Sequence, residues 1–179
     1  MKAITVFCGS REGSDPVYMR EAYQLGKAMA ERELTLVYGG AGIGCMRAMA
    51  DGVLDHGGKV IGVMPEKLAN RERSYRRLTD LRIVADMPTR KKVMMQEGDA
   101  FIAFPGGLGT LEEWFEVYSW AKIGYHDKPC CLLNINGYYD SLLALFGHMI
   151  EADFAPEDYL SGIVHDTDSK RLIDKIHQR

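Results

Sequence analysis

Short apolar runs alternate with longer amphipathic ones along nearly the whole chain, and this order admits few folds. The strand-like runs are Ala3 to Cys8, Leu34 to Tyr38, Lys59 to Met64, Leu81 to Val84, Ala100 to Phe104, Cys130 to Leu133 and Ile163 to Val164. Between them lie helical patterns at Met19 to Glu31, Gly44 to His56, Thr89 to Glu97, Leu111 to Lys122, Tyr138 to Ala152 and Ser169 to Gln178. A βα alternation of this kind predicts an α/β fold: a doubly wound parallel sheet of about seven strands with helices on both faces. Ligands in such sheets bind beyond the carboxyl ends of the strands, so the loops there are the first place to look for chemistry. At 179 residues, with no internal repeat, low-complexity tract or linker, the chain reads as a single domain, 1–179.

Three of those loops are built from small residues. The first strand runs into Cys8-Gly9-Ser10, the second into Gly39-Gly40-Ala41-Gly42, and the fifth into Pro105-Gly106-Gly107-Leu108-Gly109-Thr110. In the last, three glycines let the backbone approach a ligand closely, and the positive end of a helix follows directly. That suits an anion, above all a phosphate, although a tight ligand-free turn has the same composition. A dinucleotide fold would have G-x-G-x-x-G after the first strand and an acidic residue closing the second; neither is present, and no Gly-Lys-Ser or Gly-Lys-Thr marks a Walker loop. The loops therefore suit a mononucleotide or another small phosphate ester.

Two further features carry candidate chemistry. Thr110 and Glu113 are spaced as a capping box, with Thr110 as N-cap, and equally place a carboxylate beside the glycine loop for acid–base work. Arg90, Lys91 and Lys92 follow Pro88 at a helix start, the wrong end of the macrodipole for cations unless an anion lies near. Arg90 is the one suited to bidentate contact with phosphate or carboxylate.

Bulk properties exclude several classes. A net charge of −3 gives no broad reason to bind nucleic acid. No segment is long and apolar enough for a membrane span, and the run Ala3 to Phe7 is too short for a signal sequence. The four cysteines, two of them adjacent, suit a reduced compartment, and a cytoplasmic location is expected. Neither the cysteines nor the five scattered histidines have metal-ligand spacing, so no metal is expected.

Met87-Pro88-Thr89-Arg90-Lys91 matches an M-x-x-R-K element, and Pro105 to Glu113 matches P-G-G-x-G-T-x-x-E. Together they make the chain resemble the LONELY GUY (LOG) family. The resemblance extends to Phe7-Cys8-Gly9-Ser10, Tyr38-Gly39-Gly40 and Leu133-Asn134 to Tyr139, so it covers nearly the whole sequence. It implies a Rossmann-like fold, a homodimer or larger assembly, no cofactor, and hydrolysis of a purine nucleoside 5′-monophosphate to free base and ribose 5-phosphate. The substrate class implied is N6-modified AMP, or AMP itself. Carried over by motif, the catalytic pair falls on Arg90 and Glu113. Substrate-binding positions fall on Gly106, Gly107, Leu108, Gly109 and Thr110, on Lys91 and, by spacing, on Glu72; Gly9, Ser10 and Gly40 are the candidates in the other two loops.

The sequence departs from the family pattern at Ala41 and Arg47, where glycines are usual, and in the strongly charged Glu66 to Asp80 segment. Arg47 is read as a helix-surface residue. A charged segment is a poor lining for an isoprenoid group, which keeps plain AMP, or another purine monophosphate, open as the substrate. The rival reading is a non-catalytic nucleotide-binding or carrier module on the same fold. A lysine decarboxylase would need a Schiff-base lysine that no local context singles out. Trp114, Phe115, Tyr118 and Trp120 crowd one helix, a core face with aromatic surface to spare for a partner copy.

Overall fold

The computed structural model describes residues 1–69 and 74–178. Seven strands form one parallel sheet: β1 (Ala3–Phe7), β2 (Thr35–Tyr38), β3 (Val60–Pro65), β4 (Asp80–Val84), β5 (Ala100–Ala103), β6 (Cys130–Leu133) and β7 (Val164–Asp166). Their spatial order is β4-β3-β2-β1-β5-β6-β7. The chain builds outward from β1 to β4, then crosses back to lay β5 on the other side of β1, so the switch in direction falls between β1 and β5.

The connections are α1 (Pro16–Ala30), α2 (Gly44–Leu54), the single turn α3 (Glu66–Ala69), α4 (Met87–Glu97), α5 (Leu108–Lys122), α6 (Asp140–Glu151), the short α7 (Asp158–Ser161) and α8 (Ser169–His177). Strand residues alternate between the two sheet faces, as the period of two requires. Ile4 and Val6 of β1 and Ala100 and Ile102 of β5 join the core under α1, α2 and α8. Phe7, Phe101 and Ala103 join the opposite core, where Met94 of α4, Trp114, Val117 and Tyr118 of α5 and Phe146 of α6 pack. Every residue of β5 is buried, which is why the run reads as continuously apolar.

Two helix starts are set by aspartates that accept a backbone N–H: Asp15 from Val17 and Asp86 from Thr89, each 2.8 Å away and each followed by a proline in the first turn. α1 and α2 cross almost backbone to backbone. A Cβ on Gly26 would stand 2.1 Å from the Met49 carbonyl oxygen, and one on Gly52 2.1 Å from that of Tyr23.

Candidate active site

At the carboxyl ends of β1, β2 and β5 the three small-residue loops meet, and glycines make the junctions possible. A Cβ on Gly106 would lie 2.1 Å from Thr110 Oγ1 and 2.7 Å from the Gly9 nitrogen. Gly44, at φ +53°, presses its α-carbon side against Ser10, whose carbonyl oxygen would be 2.2 Å from a Cβ there. The loop after β1 is thus held between the other two. A cleft of about 490 Å³ opens above this junction, in the size range of small-molecule sites. Gly107 and Gly109 face open space; no atom lies within 4 Å of where their Cβ would be.

The helix behind this loop starts earlier than the apolar pattern suggests. Gly107 has the extended backbone of an N-cap, α5 begins at Leu108, and the Leu111 N–H already bonds the Gly107 carbonyl. Thr110 therefore lies inside the first turn and is not the N-cap. The capping box is not formed: the Glu113 carboxylate turns to Arg90 instead.

Arg90 extends from the first turn of α4 beneath the cleft. Its Nε donates to the Val63 carbonyl at 3.0 Å, at the end of β3, and its Nη1 to Glu113 Oε1. A Cβ on Gly39 would stand 2.5 Å from Nη2, so the absence of a side chain there leaves room for the guanidinium. Arg90 and Glu113 are both only 7% exposed, which makes this a buried ion pair, and Arg90 lines the cleft with the Glu113 carboxylate bonded to it. Burial pushes the Glu113 carboxyl above the usual glutamate range, and the Arg90 charge and hydrogen bond offset part of that rise. Burial likewise pushes the Cys8 thiol far up, with Cys45 and Glu113 adding to the effect, so it stays neutral on the cleft wall.

The other sequence-derived positions separate into two groups. Gly9, Ser10, Gly106, Gly107, Gly109 and Thr110 line the cleft with Arg90. Leu108 points its side chain into solvent, 86% exposed. Lys91 is held by Glu112 at 2.6 Å and Glu116 at 3.1 Å, so the anions that offset the cations of this helix start are carboxylates of α5. Gly40, at φ +82°, packs against Gly62 and accepts the Tyr75 N–H at 3.1 Å; it is Gly39 that borders the cleft. Glu72 lies outside the described residues.

Arg11, Glu12 and Gly13 of the loop after β1 also line the cleft, and sequence reasoning passed over Tyr18, Cys45, Met46, Leu68 and Tyr138, which line it too. Tyr138 was within reach, since it belongs to the Leu133 to Tyr139 stretch. Leu68 carried no signal beyond its place in a charged segment. Among the described residues of that segment, Arg77 pairs with Asp51 at 2.9 Å and Asp55 at 2.8 Å on α2, and Tyr75 bonds Asp51. Arg47 lies on the helix surface beside Asp51, 3.3 Å away, and over the Tyr75 ring. Among the described residues no group of three or more His, Cys, Asp or Glu is placed to hold a metal ion, and no helix is long and apolar enough to cross a membrane.

A doubly wound sheet with a glycine loop at its switch point, over a buried Arg–Glu pair, defines a Rossmann-like protein with a site for a small anionic ligand. Known proteins narrow this class. Residues 46–176 match the family model described as "Possible lysine decarboxylase". The cytokinin riboside 5′-monophosphate phosphoribohydrolase of Rhodococcoides fascians is 49% identical over 148 residues, 82% of this chain and 75% of that one. The enzyme of the same name from Arabidopsis thaliana, LOG3, is 43% identical over 177 residues, 99% of this chain and 82% of that one. The chain belongs to this LONELY GUY (LOG) family of phosphoribohydrolases. Among solved structures, the molybdenum cofactor binding protein of Rippkaea orientalis superposes with a TM-score of 0.74 at 24% identity, covering 99% of this chain and 96% of that one; at this identity the likeness concerns the fold.

Proposed function

We propose that the protein hydrolyses the N-glycosidic bond of an adenosine 5′-monophosphate, N6-modified or plain, to the free base and ribose 5-phosphate. Water adds across the bond: its oxygen goes to the anomeric carbon and a proton to the departing base. The observation that carries this reading is the buried Arg90–Glu113 pair, whose arginine lines the same cleft as the glycine loop. With the phosphate at Gly106 to Thr110 and the N-terminus of α5, the ribose comes to lie over the cleft floor. There the Glu113 carboxylate stabilises the positive charge that develops on the sugar and orients the attacking water. Arg90 holds that carboxylate and offers its remaining N–H groups to a ribose hydroxyl or the phosphate. Gly9, Ser10 and Thr110 complete the phosphate and ribose side of the site.

The apolar side chains of the cleft wall favour an alkylated base. Tyr18, Met46 and Leu68 give that wall apolar surface, and of the described part of the charged segment it is Leu68 that lines the cleft. N6-modified AMP is therefore the preferred substrate over plain AMP, a choice that the composition of the segment leaves open. Among the described residues lining the cleft none is a lysine, which leaves a Schiff-base decarboxylase without its amine. The family likeness also supports a single-domain homodimer working in the cytoplasm without a cofactor.

The test is parallel incubation with AMP and N6-isopentenyl-AMP, following free base and ribose 5-phosphate by chromatography. Glu113→Gln keeps the shape and an oxygen that accepts from Arg90, and is expected to lower kcat by about 10²–10⁴-fold. Binding of both nucleotides with release from neither would make the protein a binding module.

A further inference from the structure

The segment after β6 contacts the glycine loop with two adjacent tyrosines. Asn134 organises it: its Nδ2 donates to Asp140 Oδ1 at 2.7 Å, and its Oδ1 accepts the Tyr139 N–H at 2.7 Å. Within this clamp the chain turns through two consecutive left-handed residues, Asn136 at φ +51° and Gly137 at φ +70°. That turn aims Tyr138 and Tyr139 at the end of β5. Tyr139, 1% exposed, donates to the Phe104 carbonyl at 2.9 Å, and Tyr138 donates to the Gly106 carbonyl at 2.5 Å. The two bonds straddle Pro105, which has no N–H of its own to fix the chain. The Tyr138 ring is held in turn, edge-on to Tyr139 at 5.1 Å and to Tyr18 at 6.0 Å.

We propose that Tyr138 is a positioning residue for the phosphate: by holding the Gly106 carbonyl it fixes the Gly106–Gly107 peptide plane, and with it the direction of the Gly107 N–H. The inference rests on the reading of this loop as the phosphate cradle. The chain has no cis peptide bonds, and in a trans peptide the carbonyl and the next N–H point in opposite directions, so anchoring one orients the other. Between two glycines that plane rotates at little steric cost, and Gly107 has no atom within 4 Å of its Cβ direction to resist rotation. Tyr139 secures the strand end; Tyr138 acts at a peptide of the cradle itself, on the cleft wall.

The test compares Tyr138→Phe with Tyr139→Phe and the unaltered protein, reading the Kd of ribose 5-phosphate by calorimetry, steady-state kinetics on the cleaved nucleotide, and thermal melting. Tyr138→Phe is expected to raise the ribose 5-phosphate Kd and the KM together by about five- to tenfold, the loss falling on KM rather than kcat. Tyr139→Phe is expected to lower the melting midpoint instead. Unchanged ribose 5-phosphate affinity in Tyr138→Phe, or a fall in kcat at constant KM, overturns the proposal. If the unaltered protein binds ribose 5-phosphate but cleaves no nucleotide, the hydrolase reading falls and the Kd comparison still decides the role of Tyr138. If it does not bind ribose 5-phosphate, the cradle and this inference fall together.

Discussion

Glu113 is placed where a charge is costly and useful at once. Burial raises its pKa and Arg90 opposes the rise without cancelling it, so the carboxyl titrates above the roughly 4.3 of an ordinary glutamate. On the proposed reading hydrolysis requires the carboxylate, so kcat/KM is expected to rise with pH through that elevated value, with an acid limb above about pH 4.3 in a pH–rate profile. Stability follows the opposite sign. A pKa raised on folding means the native state holds the proton more tightly, so this contribution is fully present below about pH 4.3 and is lost as pH rises through the folded value. Arg90→Met removes the partner and leaves the carboxylate buried alone, which is expected to cost about 3–5 kcal/mol at pH 7 in urea titrations. The loss shrinks as the pH is lowered and Glu113 takes up a proton; an equal loss at pH 7 and pH 5 would mean that the pair is not coupled in this way. The motifs named Arg90 and Glu113 together, but neither their burial nor their direct ion pair was legible in the sequence. Thr110 and Glu113 have the spacing of a cap, and only the tertiary position of α4 over β3 gives the carboxylate another partner.

Among elements, the glycine loop and its helix depend on contact between backbones. Gly106→Ala would drive a methyl group against Thr110 and the Gly9 nitrogen. We expect it to lower stability by about 1–3 kcal/mol and to abolish ribose 5-phosphate binding, both measurable on the purified variant. The alternation of apolar and amphipathic runs was enough to place the strands and the six longer helices, because a sheet covered on both faces imposes continuous apolar runs such as Ala100 to Ala103. It misjudged ends. The start of α5 was placed at the first apolar residue after the glycines, whereas Gly107 already caps it, and poor helix formers can occupy a first turn that tertiary contact holds. The single turns α3 and α7 were missed because four residues carry no period. Residues with side chains turned into the cleft, such as Leu68, look in sequence like any other residue of their segment.

At the scale of the molecule, the sheet order and the two cores fix where the cleft falls, and the α1–α2 crossing fixes one side of it. Gly52→Ala can be accommodated only by moving the two helices apart, since the atom it would strike is the Tyr23 backbone oxygen, and we expect a loss of about 1–3 kcal/mol in chemical denaturation. The same crossing has a second effect. Tyr18 near the start of α1 and Met46 near the start of α2 both border the cleft, and Gly26 and Gly52 lie eight and six residues further along, about 12 Å and 9 Å away at the rise of a helix. The seam therefore works like the pivot of a pair of tweezers: how closely the two helices touch there sets the aperture between their tips. A methyl group at the pivot would widen the mouth of the cleft without altering a single residue that a nucleotide touches.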